Sequence, residues 1–224
     1  MNNGKLYDLG VVCGRFSHEH LGHVKLFDTC ISLCNHTLIL VGSAQESGTL
    51  RNPFTLETRI KIIQETYPDI NDDQLVIKGI NDLKNEYNAA PDWGKFLKKN
   101  VEKHMNKFAD LMVCGGDASR SKWFDQEDLI NTAELILPRT ANPISATLVR
   151  GLLVIDDKAN WQKCTPKLIH KFYSDLRTEL LNVTIYNEIY DTLKNEEPTI
   201  EHYMKIYSKL ELEDRAIKEK ILGK

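Results

Sequence analysis

Leu9-Gly10-Val11-Val12-Cys13-Gly14-Arg15-Phe16-Ser17-His18-Glu19-His20-Leu21-Gly22-His23 is the stretch that decides the fold. The apolar run Leu9–Cys13 reads as a buried strand. Gly14 at its end permits a tight turn and close backbone approach to a ligand. From Leu21 to Cys34 the apolar residues return at helical spacing. The histidines therefore sit at a strand-to-helix turn, at the carboxyl end of the first strand. Open α/β sheets bind phosphates at such turns, because a helix N-terminus offers free amides and a partial positive charge. Two imidazoles three residues apart at that position point to chemistry on a phosphate ester.

The same alternation continues down the chain. Strand-like runs at Asp8–Cys13, Thr37–Gly42, Leu75–Ile80, Asp110–Cys114 and Ala133–Leu137 are separated by helical stretches at Gly22–Cys34, Leu56–Thr66, Trp93–Lys107 and Ser145–Leu153. This pattern predicts βαβ units and an α/β, Rossmann-like open parallel sheet with helices on both faces. Right-handed crossovers put all the carboxyl ends on one side. Those ends carry Gly14–His23, Gly42-Ser43-Ala44-Gln45, Asn81-Asp82, Gly115-Gly116-Asp117 and Asn142–Arg150. Beyond residue 155 the pattern changes. Asp156–Asn160 reads as a polar turn, Pro166 begins a long helix through about Asn195, and Pro198 starts a terminal helix. The expected division is an α/β core at 1–155 and a helical C-terminal extension at 156–224, packed on that core or on a neighbouring subunit.

Composition removes several classes of function. The 224 residues are 42% hydrophobic and 27% charged with net charge −3, so nothing suggests a nucleic-acid-binding surface. No apolar stretch approaches the roughly 20 residues that span a bilayer. Met1–Lys5 lacks the apolar centre of a signal peptide. The five cysteines (Cys13, Cys30, Cys34, Cys114, Cys164) include no CxxC, which argues against a disulfide scaffold or thiolate zinc site and for a reducing, cytoplasmic setting. Cys30 and Cys34 read as one buried helix face.

On the first turn of a helix, His20 and His23 share a face, so both rings can donate to one phosphate, with Gly22 leaving room for it. A pair of surface histidines, or metal binding by His18, His20 and His23, is the competing reading. A second block, Ile144-Ser145-Ala146-Thr147-Leu148-Val149-Arg150, follows Asn142-Pro143. Ser145 is an N-cap, and two hydroxyls with an arginine one turn on suit a triphosphate tail.

Gly14-Arg15-Phe16, His20-Leu21-Gly22-His23 and Ile144-Ser145-x-Thr147-x-x-Arg150 together resemble the nucleotidyltransferase superfamily of adenylyl- and cytidylyltransferases. Gly42–Thr49, then Asn52-Pro53-Phe54-Thr55 and Arg59, is similar to the archaeal-type nicotinamide mononucleotide adenylyltransferases. The resemblance covers roughly residues 8–155. It implies adenylyl transfer from ATP to the 5′-phosphate of nicotinamide mononucleotide, giving NAD and pyrophosphate, with Mg²⁺ as cofactor. Three positions depart from the family pattern. Ser17-His18-Glu19 stands where Gln-Pro-Phe is usual, Glu57-Thr58 where Gly-Glu is usual, and Ala146 where glycine is usual. Glu19 puts a carboxylate beside a polyphosphate site unless it points away.

The resemblance assigns His20, His23 and Arg150 to catalysis. It assigns Gly14, Arg15, Phe16, Ser43, Asn52, Arg59, Asp82, Trp93, Gly115, Asp117, Arg120, Ile144, Ser145 and Thr147 to substrate. Trp93 would stack on the pyridine ring, a contact of about 0.5–2 kcal/mol for a cationic ring on indole; its bland alternative is a core anchor. Gly115 and Asp117 would meet the ATP ribose, or make only a glycine turn. Asp82 would orient substrate or metal, or cap a helix. Arg120 and Lys122 would reach phosphate, or form a solvated face, while Trp123-Phe124 packs on the core. His20 and His23 go to ATP phosphates, Arg150 and the Ser145–Thr147 helix start to the β and γ groups, and Mg²⁺ bridges phosphate oxygens. Other phosphate acceptors (nicotinate mononucleotide, phosphopantetheine, glycerol phosphate), a non-catalytic nucleotide sensor and a fragment of an aminoacyl-tRNA synthetase are the competing classes. The resemblance also implies a homo-oligomer.

Overall fold

Five strands, β1 (Tyr7–Gly14), β2 (Cys34–Val41), β3 (Leu75–Gly79), β4 (Leu111–Gly115) and β5 (Ala133–Leu137), pair in parallel in the order β3-β2-β1-β4-β5. The structure is a computed structural model describing residues 4–83, 90–116, 119–138, 143–195 and 198–221. Both faces of the sheet are apolar, as a parallel sheet covered on both sides requires. Val12, Ile39, Val41, Leu111 and Val113 face α1 (Leu21–Leu33) and α2 (Leu56–Thr66). Leu9, Val11, Leu38, Leu40 and Met112 face α3 (Ala90–Met105). This alternation along each strand is the period-two geometry of the extended chain.

Strand order has a consequence for function. The chain moves outward from β1 to β2 to β3, then returns to lay β4 on the other side of β1. The reversal opens a crevice beyond the carboxyl ends of β1 and β4, where Gly14 and Gly115 stand. Ligands of open α/β sheets bind at such switch points.

Some elements differ from their sequence reading. β2 begins at Cys34, so Cys30 and Cys34 do not share a helix face; one is buried in the last turn of α1 and the other opens the strand. Asp156–Asn160 is not only a turn. The Asp157 carboxylate accepts the Asn160 N–H at 3.1 Å and caps α5 (Lys158–Cys164). The long helix expected from Pro166 to Asn195 is instead a 3₁₀ segment, Lys167–Phe172, followed by α6 (Tyr173–Leu181) and α7 (Thr184–Lys194), with a break at Asn182-Val183.

The terminal helix α8 (Ile200–Ile221) lies against α4 (Ala146–Val154). One apolar cluster joins Val149, Leu152 and Leu153 of α4 to Trp161, Leu180, Tyr186, Ile189 and Tyr203, and takes in Leu50 and Phe54 from the loop after β2. Gly151 allows this packing. A Cβ there would stand 2.4 Å from the Tyr203 ring. Burial of large side chains such as Trp161 and Tyr186 contributes about 2–3 kcal/mol each, which orders the C-terminal segment on the core. No described helix is long and apolar enough to cross a membrane.

Candidate active site

A cavity of about 690 Å³ opens at the β1–β4 crevice. Gly14, Arg15, Phe16, His20, His23, Asp82, Trp93, Gly115, Arg120, Ile144, Ser145, Thr147 and Arg150 line it. Residues far apart in the chain thus converge because parallel topology stacks their loops on one edge of the sheet. Asp117 and Asn142 lie outside the described residues.

The histidine turn is built by its own backbone. His20 is the N-cap of α1, and its Nδ1 accepts the Gly22 N–H at 3.1 Å. That bond leaves Nε2 as the proton-bearing nitrogen of the neutral ring. A Cβ on Gly22 would stand 2.9 Å from the His20 ring. Gly22 therefore makes room for that ring, and it also lines the cavity. The His20 and His23 rings stack with centroids 3.7 Å apart and planes 24° apart. Phe16, at φ 47°, sets its ring edge-on to His23 at 5.0 Å and to Phe27 at 5.0 Å. A left-handed phenylalanine is strained; its burial between those rings holds it there.

His18 and Glu19 turn away from the cavity. Both are nearly inaccessible, at 3% and 2% exposure. The Trp161 Nε1–H donates to His18 Nε2 at 3.3 Å, so the proton of the neutral ring sits on Nδ1, 2.6 Å from the Glu19 carbonyl. Burial holds this imidazole down to about 4, assisted by the nearby charge of Arg150. With both nitrogens engaged, His18 cannot join His20 and His23 around a metal. Among the described residues no group of three His, Cys, Asp or Glu side chains could hold one. Glu19 accepts the Thr66 hydroxyl at 2.7 Å, and burial pushes its carboxyl up to about 8. It is neutral at pH 7 and places no negative charge beside the phosphate site.

The second block forms α4 as read. Ser145 caps it, its Oγ accepting the Leu148 N–H at 3.1 Å. Arg150, only 3% exposed, is held tightly. Its Nε donates to the Tyr186 hydroxyl at 2.7 Å and its Nη1 to the Ser17 carbonyl at 2.5 Å. Its Nη2 donates to Tyr207 Oη at 3.1 Å and Thr147 Oγ1 at 3.4 Å. The sequence reading assigned this arginine, with the Ser145–Thr147 helix start, to the β and γ phosphates. The structure places a cavity-wall cation whose fork ties α4 to the histidine turn and to the C-terminal helices.

Residues 11–160 match the cytidylyltransferase-like family. The chain belongs to that family. It is 41% identical over 169 residues to the nicotinamide-nucleotide adenylyltransferase of Pyrococcus horikoshii, covering 75% of this chain and 83% of that one. Against the nicotinamide-nucleotide adenylyltransferase of Saccharolobus solfataricus the identity is 27% over 178 residues, 75% of this chain and 91% of the relative. Among solved structures, a bifunctional NMN adenylyltransferase/ADP ribose pyrophosphatase from Francisella tularensis, complexed with AMP and a Mn ion, has the same fold. Its TM-score is 0.62 at 22% identity, over 92% of this chain and 56% of that longer one.

Three residues expected at the substrate stand behind the cavity wall of this cytidylyltransferase-like protein. Arg59 is buried on α2 and donates to the carbonyls of Arg15 (3.0 Å), Gly42 (2.7 Å) and Ser43 (3.0 Å). It clamps the turns after β1 and β2, including Ser43 at φ 50°. Asn52 is buried and closes the Thr49–Asn52 turn, its N–H donating to Thr49 Oγ1 at 3.1 Å. The Arg59 charge serves the loops, because burial leaves its guanidinium facing backbone carbonyls rather than solvent, whereas Asn52 Oδ1 is buried without a hydrogen-bond partner among the described residues.

The remaining walls are joined in pairs. The Asp82 N–H donates to Gln45 Oε1 at 3.0 Å, linking the ends of β2 and β3. Trp93 meets Trp123 edge-to-face at 6.1 Å, and the Arg120 guanidinium lies 4.5 Å over the Trp123 ring. Trp123, read as a core residue, thus also faces the cavity. Glu134 on β5 accepts from Ser119 Oγ and the Arg120 N–H, and from the Ser121 N–H at 3.3 Å. Those donors hold its carboxyl below the usual range against the opposing effect of burial, and fix the turn that carries Arg120.

Sequence reasoning missed Arg51, Tyr207 and Glu211, all on the cavity wall. Arg51 adjoins the Asn52-Pro53 block and was legible there as a basic residue at a strand-end loop. Tyr207 and Glu211 are one turn apart on α8, but no local signal says which partner that helix meets.

Proposed function

We propose that the chain transfers the adenylyl group of ATP to the 5′-phosphate of nicotinamide mononucleotide, forming NAD and releasing pyrophosphate. The observation that carries this reading is the single cavity shared by the stacked His20–His23 pair and the capped start of α4. The names of the archaeal relatives supply the acceptor.

The attacking group is already an anionic phosphate oxygen, so no side-chain nucleophile is required. Catalysis reduces to alignment with the α-phosphorus and to stabilising charge on the leaving pyrophosphate. His20 and His23 donate to phosphate oxygens as negative charge shifts during transfer. The free amides of α4 and the Ser145 and Thr147 hydroxyls receive the β and γ groups. Arg150 supplies positive charge from the cavity wall and keeps the histidine turn in register with α4. Trp93 offers an aromatic face to the pyridinium, and Arg120, stacked on the adjoining Trp123, reaches a phosphate. Mg²⁺ entering with the nucleotide would supply positive charge to the phosphates beside His20, His23 and the start of α4. Assembly into a homo-oligomer belongs to the same reading and is checked by light scattering.

The test is direct. Purified protein with MgATP and nicotinamide mononucleotide should yield NAD and pyrophosphate in equal amounts. Turnover with nicotinate mononucleotide or phosphopantetheine, and none with nicotinamide mononucleotide, would reassign the acceptor. ATP binding without pyrophosphate release would reduce the protein to a sensor. The motive for that last reading is the His18-Glu19 departure from the family pattern, and both side chains turn to protein partners, Glu19 to Thr66 and His18 to Trp161.

A further inference from the structure

We infer that Tyr207, on the C-terminal helix α8, is a polyphosphate-binding residue of this site, donating its phenolic hydrogen to a terminal phosphate oxygen. The inference deepens the adenylyl-transfer reading and takes from it only that the cavity receives a polyphosphate. Tyr207 lies beyond residue 160, where the family match ends, on the helix that packs against α4.

The argument rests on two tyrosines that flank Arg150 and differ in one respect. The Tyr186 hydroxyl accepts from Arg150 Nε at 2.7 Å and donates to the Leu50 carbonyl at 2.8 Å. Its single proton is engaged, and it does not line the cavity. The Tyr207 hydroxyl accepts from Arg150 Nη2 at 3.1 Å, and among the described residues no acceptor takes its proton. Tyr207 does line the cavity and is 4% exposed. A phenol carries one hydrogen and two lone pairs. With a lone pair fixed on a guanidinium, its hydrogen is directed elsewhere, and an arginine donor on the oxygen strengthens the O–H as a donor in turn. A buried hydroxyl left without an acceptor costs free energy that a ligand oxygen would recover.

The surroundings select an anion. Arg150, Ser145, Thr147 and the start of α4 share the wall with Tyr207. One turn further along α8, Glu211 pairs with Arg51 at 3.7 Å, on the same cavity rim. The position of α8 that presents this face depends on Gly151, which admits the Tyr203 ring. Arg150 directs four of its five N–H donors to protein groups, one of them to Tyr207, which carries that polarisation on to the ligand.

The experiment measures binding of inorganic tripolyphosphate by calorimetry to wild type, Tyr207→Phe and Tyr186→Phe, with nicotinamide mononucleotide as the second probe. Tyr207→Phe keeps the ring and its packing. Its tripolyphosphate affinity should fall about tenfold, the loss of one hydrogen bond to a charged partner, while nicotinamide mononucleotide binds as before. Tyr186→Phe should lower the thermal midpoint, through loss of the Leu50 tie, more than Tyr207→Phe does. Unchanged tripolyphosphate affinity in Tyr207→Phe overturns the inference. So does an equal loss for both probes, which would mark a merely structural tyrosine, and so does failure of the wild type to bind tripolyphosphate. Tyr207-dependent tripolyphosphate binding without NAD formation would leave this inference standing and remove only the acceptor assignment.

Discussion

Replacing Glu19 by glutamine should make the protein more stable, and by an amount that grows with pH. Burial raises the Glu19 carboxyl from an ordinary 4.5 to about 8. Between those values the unfolded chain releases its proton while the folded chain keeps it, so rising pH favours unfolding. Each pH unit in the interval withdraws about 1.4 kcal/mol, and the sum by pH 8 is on the order of 4 kcal/mol. The stability tied to this group is complete below pH 4.5 and has been lost by pH 8. Glutamine keeps an acceptor for Thr66 and cannot ionise. Its amide would face the space now held by Glu19 Oε1, which has no partner, so one unsatisfied group replaces another. The two proteins should therefore lie within about 1–2 kcal/mol of each other at pH 4.5. His18 acts in the opposite direction. Its folded value of about 4 lies below the ordinary 6.5, so its contribution is present above pH 6.5 and lost as pH falls towards 4. In wild type the two slopes offset one another between pH 4.5 and 6.5, leaving a decline from 6.5 to 8. The glutamine variant should hold its stability across that upper interval. Urea unfolding of both proteins at half-unit steps from pH 4.5 to 8 measures the difference. A difference that does not change with pH would refute the reasoning, since it would mean that folding does not shift Glu19.

Three further outcomes follow from the site. His23→Ala should lower turnover roughly a hundredfold with little change in thermal midpoint, as expected for a donor to transition-state charge, and steady-state NAD formation measures it. Arg59→Ala should cost about 3 kcal/mol in urea unfolding, because three buried carbonyls lose their donor; Arg59→Lys should recover only part of this, since one ammonium cannot span the turns after β1 and β2. Glu211→Gln should release Arg51 and tighten tripolyphosphate binding a few-fold at low salt, with the gain fading by about 0.5 M salt if the effect is electrostatic.

Much of the architecture was written locally. Apolar runs of strand length, separated by helical spacing and punctuated by Gly14 and Ser145, specify βαβ units wherever the chain is placed, because alternation and capping are short-range properties. The same locality made the two phosphate blocks readable: a strand-end glycine, imidazoles on the first turn of α1, and a capped helix start all act within a few residues. Departures fell where long-range packing decides. The order β3-β2-β1-β4-β5, and with it the crevice at β1 and β4, depends on which strands meet, and no short window encodes that. Arg59, Arg150, His18 and Glu19 carry the same letters whether they face a ligand or the interior. Only tertiary burial turns Arg59 onto carbonyls, holds His18 and Glu19 neutral, and seats α8 so that Tyr207 meets Arg150. A residue's chemistry belongs to the sequence, but its charge state and its partner are set by the dielectric and the neighbours that folding supplies.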